Sequence, residues 1–416
     1  MTTFAIQIFK RSLSDARMLK IYFPLLIFSL GVLLRFFYAF NGPLLEKESW
    51  SDMRIYLKIS KFIEMGVWKE THFFQSIGYP LILYAVKQAV SLLSQAVSLL
   101  QAFASSLTLF FFYRMVSESF PHRVAFISFF IGVFHVPWIL YGNFALPETF
   151  FTLFISITAY SSLRIVKSIR VGYFWPAVWA LAFIFAFWLK GTHALWGPLF
   201  LLCLFLLKRK KSLPAIMIIG SIVGAGLGAH GLLTYSKTGK VQLSASTGGL
   251  NFVEGKCPGK KNIDSAGFFW HSPLYFQLDL NRTKKWNRPF TDSGYFMKQG
   301  LECIKRDPAV LLLSFEGIPY LFFGNTLWPF NSRPYSRYMR FYELIFSLFL
   351  VVGLTTYGLD IFRRRNLEEF TIWVIPALAL FLCVYIFKSE MRYRIPFDIF
   401  FIPLAVKGWH YFRRGQ

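Results

Sequence analysis

Charge is scarce in this chain, and acids are scarcer than bases. Of 416 residues, 21 are Asp or Glu and 45 are Lys or Arg, together 16% of the sequence, against 55% hydrophobic and 20% aromatic. A soluble protein of this length needs more polar surface, so the composition excludes a soluble globular enzyme and indicates an all-α polytopic membrane protein. Cysteine is equally sparse: four residues, with no CxxC and no zinc spacing. His72, His135, His193, His230 and His271 are scattered without an HExxH, so the residues argue against a metal site. No Walker or dinucleotide-binding fingerprint is present. Gly224-Ala225-Gly226-Leu227-Gly228 follows no soluble strand, and Gly220, Gly224 and Gly228 at intervals of four predict a bare helix face for close packing.

What is abundant is apolar runs separated by basic clusters. The net charge of +24 would indicate nucleic acid in a soluble protein. Here it lies mostly between apolar segments, where it sets orientation and meets anionic lipid, so no nucleic-acid partner is expected. Apolar stretches at 21–40, 92–115, 124–141, 146–163, 175–189, 195–207, 214–235, 341–359, 371–387 and 395–409 predict about ten spans. The positive-inside pattern puts both termini in the cytoplasm and the first apolar run reads as a retained anchor. An N-terminal transmembrane module of residues 1–234 then carries a first external loop at 41–77. Residues 235–336 form an external loop with an interfacial segment, and 337–416 the C-terminal transmembrane helices. In the first loop Ile55, Ile59, Phe62 and Ile63 recur at helical spacing and predict an interfacial helix. Cys257 and Cys303 both fall in the long loop and are candidates for a disulfide if that loop lies outside the cytoplasm.

The external side collects the polar residues that this scheme does not need. Asp52 stands in the first loop, Glu148 follows Pro147 at the start of a span, Lys190 separates two short spans, and Arg392 and Arg394 precede the last. Each has a plain structural explanation. Asp52 and Glu148 suit helix starts, Lys190 can snorkel, and the arginines can hold lipid headgroups. Together, two acids and several bases on one face also suit chemistry on an anionic lipid. The bases would grip a phosphate and an acid would accept a proton from an attacking hydroxyl.

Several short stretches occur in an order known from one group of membrane enzymes: Asp52 to Tyr56, Gly78-Tyr79-Pro80-Leu81, Leu146-Pro147-Glu148-Thr149-Phe150-Phe151, Leu189-Lys190-Gly191, Gly248-Gly249-Leu250-Asn251-Phe252, Asp307-Pro308 and Arg392-Tyr393-Arg394-Ile395-Pro396. In these the chain resembles GT-C glycosyltransferases of the protein O-mannosyltransferase and aminoarabinose-transferase type. The resemblance implies a GT-C-type helical bundle in a bacterial inner membrane, with its active site on the periplasmic side. It also implies a polyprenyl-phosphate sugar donor, a protein, lipid or glycan acceptor, and inverting displacement. Carried over by position, Asp52 becomes the base and Glu148 a second acid. Lys190, Arg392 and Arg394 become candidates for the donor phosphate, and Tyr56, Tyr79, Asn251 and Tyr393 line the substrate. Met53 follows Asp52 where many relatives have another acid, which speaks against a metal-dependent acid pair and for a reaction without cofactor. The rival class is a transporter or lipid flippase, which would favour matched internal repeats. No convincing internal duplication is visible.

Overall fold

The computed structural model describes residues 16–42, 52–90, 92–169, 172–257, 291–323, 333–364 and 366–414. Sixteen helices carry the architecture: α1 Ala16–Asn41, α2 Asp52–Glu64, α3 Gly78–Ala89, α4 Leu93–Ser119, α5 His122–Val133, α6 Val136–Leu140, α7 Glu148–Lys167, α8 Phe174–Leu189, α9 Trp196–Lys208, α10 Leu213–Thr238, α11 Thr247–Lys256, α12 Ser293–Arg306, α13 Gly317–Phe323, α14 Arg333–Arg364, α15 Ile375–Ile386 and α16 Asp398–Arg414. No strand occurs among the described residues.

All ten apolar stretches read from the sequence fall on helices. Six runs, among them Gly191–Thr238, are long and apolar enough to cross a bilayer by themselves. Residues 122–133 and 136–143 pass only as a pair bent by 46°, and Phe174–Leu189 is short. The Gly191–Thr238 run is interrupted at Arg209, whose φ of 53° ends α9 inside the basic cluster 208–211. α7 is the central helix, with 83% of its apolar window buried, whereas α1 is peripheral at 28%. Thr152, Thr158 and Ser162 on α7 return their hydroxyls to carbonyls one turn earlier, so these polar side chains cost little inside the bundle. Trp179 of α8 donates to the Ser162 hydroxyl at 2.8 Å and fixes that pair of helices.

Two close approaches set the packing of the bundle. A Cβ on Gly78 would sit 2.6 Å from the Trp188 carbonyl, so only glycine lets α3 begin against the end of α8. Gly353 of α14 and Gly408 of α16 meet backbone to backbone, a Cβ on Gly408 falling 2.0 Å from the Gly353 carbonyl. The glycine stripe on α10 behaves otherwise than its spacing predicts. Cβ atoms on Gly220, Gly224 and Gly228 would meet nothing within 4 Å, while Gly226 faces Ile184 of α8 at 2.3 Å. The stripe points away from the bundle because the neighbouring helix packs on the other side of α10.

α2 is the amphipathic helix expected in the first loop, but its inward face is rotated. Met53, Tyr56, Ile59 and Ile63 are buried, and Ile55 is exposed. The long loop returns to the bundle through α11. Ser246 and Thr247 donate their backbone amides to the carbonyls of Phe73 and Phe74, at 3.1 and 3.2 Å. Buried Lys256 reaches the Ser314 hydroxyl at 2.6 Å and lies over the Tyr385 ring. Cys257 and Cys303 form a disulfide between the end of α11 and α12, their Cα atoms 5.3 Å apart.

Candidate active site

Four chain segments converge where the helices leave the bundle. They are the start of α2, the start of α7, the junction of α8 with the Gly191–His193 turn, and the stretch 388–397 ahead of α16. Each presents its charge for a local reason. Asp52 is the first residue of α2 and Glu148 the first of α7, where an acid complements the helix dipole. Lys190 adopts an extended conformation (φ −165°, ψ 128°) as α8 ends, which swings its side chain off the helix. Met391–Tyr393 is a single 3₁₀ turn that sends neighbouring side chains in different directions.

The acids and bases pair across these segments. Arg392 Nη1 donates to Asp52 Oδ2 at 3.0 Å, and Gln75 approaches Asp52 Oδ1 at 3.4 Å. Arg392 also grips Glu390 through Nε. Lys388 lies 3.3 Å from Glu390 and 3.0 Å from Glu254 of α11. A chain of alternating charge therefore runs from α2 to α11. Beside it, Lys190 Nζ donates to Glu148 Oε1 at 2.9 Å and stands 4.7 Å from the centre of the Tyr393 ring. Asp52, Arg392 and Lys190 keep 14–18% of their side chains exposed, whereas Glu148 is buried at 1%. Glu148 lines a small cavity with Ser105, Thr108, Thr149 and Thr152, and its second oxygen has no hydrogen-bond partner among the described residues.

Electrostatics follow the pairing. Burial works against the Glu390 charge, but Arg392, Lys388 and Lys190 outweigh it and hold its carboxyl down at about 2. Burial lowers the Lys190 ammonium from its usual range, with Glu148 opposing. Burial also raises the Tyr56 phenol well above its ordinary value, reinforced by Asp52 and Glu148, so it stays a neutral donor.

Of the residues expected at the site, Asp52, Glu148, Lys190, Arg392, Tyr56 and Tyr393 are brought together. Tyr79 packs its ring edge-on against Tyr56 with centroids 5.4 Å apart, but it is wholly buried and donates to Gln101 at 3.2 Å. It forms the wall behind the site. Asn251 lies on α11, one turn before Glu254, and half-buried. Arg394 is not with the others. It is fully buried and points into the bundle, to Glu343 at 2.6 Å and Asp398 at 3.1 Å. Two carboxylates already occupy its guanidinium, which leaves it turned away from any ligand at the Arg392 face. Glu390, Lys388 and Glu254 were not singled out from sequence, although opposite charges at every second position from 388 to 392 were a visible signal.

A sequence model of the dolichyl-phosphate-mannose-protein mannosyltransferases matches residues 77–227, from the start of α3 into α10. No curated protein matches the chain. In fold it is similar to the Archaeoglobus fulgidus oligosaccharyltransferase tethered to an acceptor peptide containing the NVT sequon. The identity is 13%, the match covers 96% of this chain and 51% of that one, and the TM-score is 0.50. It is similar to the archaeal oligosaccharyltransferase AglB from Archaeoglobus fulgidus, in complex with an inhibitory peptide and a dolichol-phosphate, at 12% identity, 95% and 51% coverage and TM-score 0.50. It also matches ArnT from Cupriavidus metallidurans bound to undecaprenyl phosphate, at 12% identity, 90% and 77% coverage and TM-score 0.41. The chain spans about half the length of the oligosaccharyltransferases it matches. The expected helical bundle is the fold found, shared with these oligosaccharyltransferases, and the mannosyltransferase model matches the part of it from 77 to 227.

Proposed function

We propose that this chain is an integral membrane glycosyltransferase. It would move a sugar from a polyprenyl-phosphate donor to a hydroxyl of a protein, lipid or glycan acceptor at the external, periplasmic face. The observation that carries this reading is the Asp52–Arg392 pair beside the Glu148–Lys190 pair, all at one mouth of the bundle. The Cys257–Cys303 disulfide supports an oxidising, extracytoplasmic setting for the same face.

In this mechanism the donor phosphate draws Arg392 from Asp52 and takes a second contact from Lys190. Arginine offers a planar fork to phosphate oxygens and lysine a point charge. The freed Asp52 carboxylate accepts the proton of the acceptor hydroxyl as its oxygen bonds to the anomeric carbon. The bond from that carbon to the phosphate oxygen breaks, and its electron pair leaves with the polyprenyl phosphate, whose charge Arg392 and Lys190 stabilise. Attack from the face opposite the leaving group inverts the anomeric centre. Glu148 holds Lys190 in place from below, while Tyr56 and Tyr393 offer aromatic surface to the sugar and Asn251 a polar contact from α11. Met53 places no second acid beside Asp52, and Arg392 supplies the neighbouring positive charge, which favours a reaction needing no divalent metal.

The test is transfer of labelled sugar by the purified protein in nanodiscs, offered a panel of polyprenyl-phosphate sugars, with Asp52→Asn alongside. Turnover by the natural protein and its near-complete loss in the variant, with donor binding retained, is the expected result. Equal turnover in both would remove Asp52 from the chemistry, and the absence of turnover with every donor would remove the transferase reading.

A further inference from the structure

Arg392 and Arg394 share one short turn yet face opposite ways, and the inward one belongs to a cluster that the proposed reaction does not use. Arg394 Nη2 donates to Glu343 Oε2 at 2.6 Å and Nη1 to the Ser347 hydroxyl at 2.9 Å, both on α14. Its Nε stands 3.1 Å from Asp398 Oδ1 at the start of α16. The other Asp398 oxygen lies 3.1 Å from His135 Nε2, and His135 Nδ1 lies 3.0 Å from the Tyr342 hydroxyl. Trp138 of α6 adds a hydrogen bond from its indole to the Ile395 carbonyl at 3.0 Å. The turn is thus held by α14, α16 and the 135–138 bend at once. Arg394, Asp398 and His135 are each fully buried, and Glu343 is nearly so.

Burying two carboxylates and a guanidinium is costly relative to an apolar core of the same shape, so such a cluster contributes specificity of conformation rather than net stability. Here the conformation it specifies is that of residues 391–397, the turn that aims Arg392 at Asp52 and Tyr393 at Lys190. Main-chain hydrogen bonds alone do not fix that direction. The turn is closed by Tyr393 N–H to the Glu390 carbonyl and Arg394 N–H to the Met391 carbonyl, both short-range, and its anchors in the bundle are the Arg394 side chain with Glu343, Ser347 and Asp398, and the Trp138 indole on the Ile395 carbonyl.

We propose that Arg394, with Glu343 and Asp398, is the positioning element for Arg392. It acts on the donor phosphate only through the geometry of the turn. This inference rests on the transferase reading for what Arg392 binds, and on the structure alone for how Arg392 is held.

The two parts are tested separately. Hydrogen–deuterium exchange of the full protein in nanodiscs reads the turn without any ligand. Glu343→Gln is expected to speed exchange across 389–397 while α7 and α4 keep the protection of the natural protein, and unchanged exchange at 389–397 would overturn the proposal. Binding of a polyprenyl phosphate is then measured for the natural protein, Arg392→Gln, Glu343→Gln and the double variant. Each single change is expected to weaken binding about tenfold or more, and the double change no further than Arg392→Gln alone. Additive losses would mean that the cluster supports the fold in general, and would also overturn it. Should Glu343→Gln fail to fold, Arg394→Lys keeps the buried charge, loses the fork, and is judged by the same two readouts. A natural protein that binds no polyprenyl phosphate would sink the transferase reading, and the exchange result would still decide the positioning claim.

Discussion

Arg392 donates to Asp52 at 3.0 Å across 340 positions of sequence. The residue proposed as base is therefore held, before substrate arrives, by the residue proposed to bind the leaving phosphate. Removing either should have different effects. Asp52→Asn is expected to keep donor binding and lose turnover by at least about a hundredfold, the range of a general base. Arg392→Gln is expected to weaken donor binding and turnover together. Equilibrium binding of a polyprenyl phosphate, run beside the transfer assay, separates the two, and a binding loss in Asp52→Asn would contradict the assignment.

Glu148 and Lys190 are predicted to behave as a unit. Lys190→Met leaves a buried carboxylate without its cation and should lower stability by about 3–5 kcal/mol, read as a fall in thermal midpoint. Adding Glu148→Gln to that variant should recover most of the midpoint but none of the transfer. Recovery of transfer would show that the pair is structural.

Acid stability should depend on Glu390. Its carboxyl is held at about 2 in the folded chain against 4.5 as its ordinary value. The folded state thus binds the proton less readily than the unfolded one. The resulting stabilisation is present above about 4.5 and is lost as pH falls from there toward 2. Glu390→Gln should flatten that part of a midpoint-against-pH curve while leaving its shape above pH 6 in place. An unchanged acid limb would remove Glu390 from the network.

The disulfide should matter for α11 and α12 and little for the rest of the bundle. Cys257→Ser with Cys303→Ser is expected to cost about 2–4 kcal/mol in a domain-level unfolding transition. Reductant should reproduce the effect in the natural protein. Peptide mapping that finds both thiols free in protein made in an oxidising compartment would refute the pairing.

Gly353→Val would force α14 and α16 apart, since a Cβ at Gly353 already falls 2.4 Å from the Ala405 carbonyl. Loss of folded protein on detergent gel filtration is the expected outcome. Gly224→Ala, on the open face of α10, should be silent in the same assay.

The sequence carried the fold well because its signals were strong and local. Apolar runs of span length with basic ends admit few arrangements, and the expected apolar stretches fall on helical chain, of which six runs, or seven with the bent pair, are long and apolar enough to cross a bilayer. Asp52, Glu148, Lys190 and Arg392 were legible as charges that the membrane scheme left unexplained. Arg394 was misplaced because two arginines two residues apart look alike until the intervening turn is known. The 3₁₀ geometry of 391–393 separates them, and nothing in the residue types announces it. Glu254 was passed over because its partner Lys388 comes from a distant segment, whereas Glu390 pairs locally with Lys388 and Arg392, an alternation that the spacing displayed. The inward face of α2 was off by part of a turn, since Ile55 is apolar in type yet faces outward.

The covalent link between Cys257 and Cys303 closes a loop 46 residues apart in sequence, with one foot on α11 and the other on α12. A protease that cuts once anywhere between those two positions would not divide the molecule. On a gel without reductant it would run as a single species, and two fragments would part only after reduction.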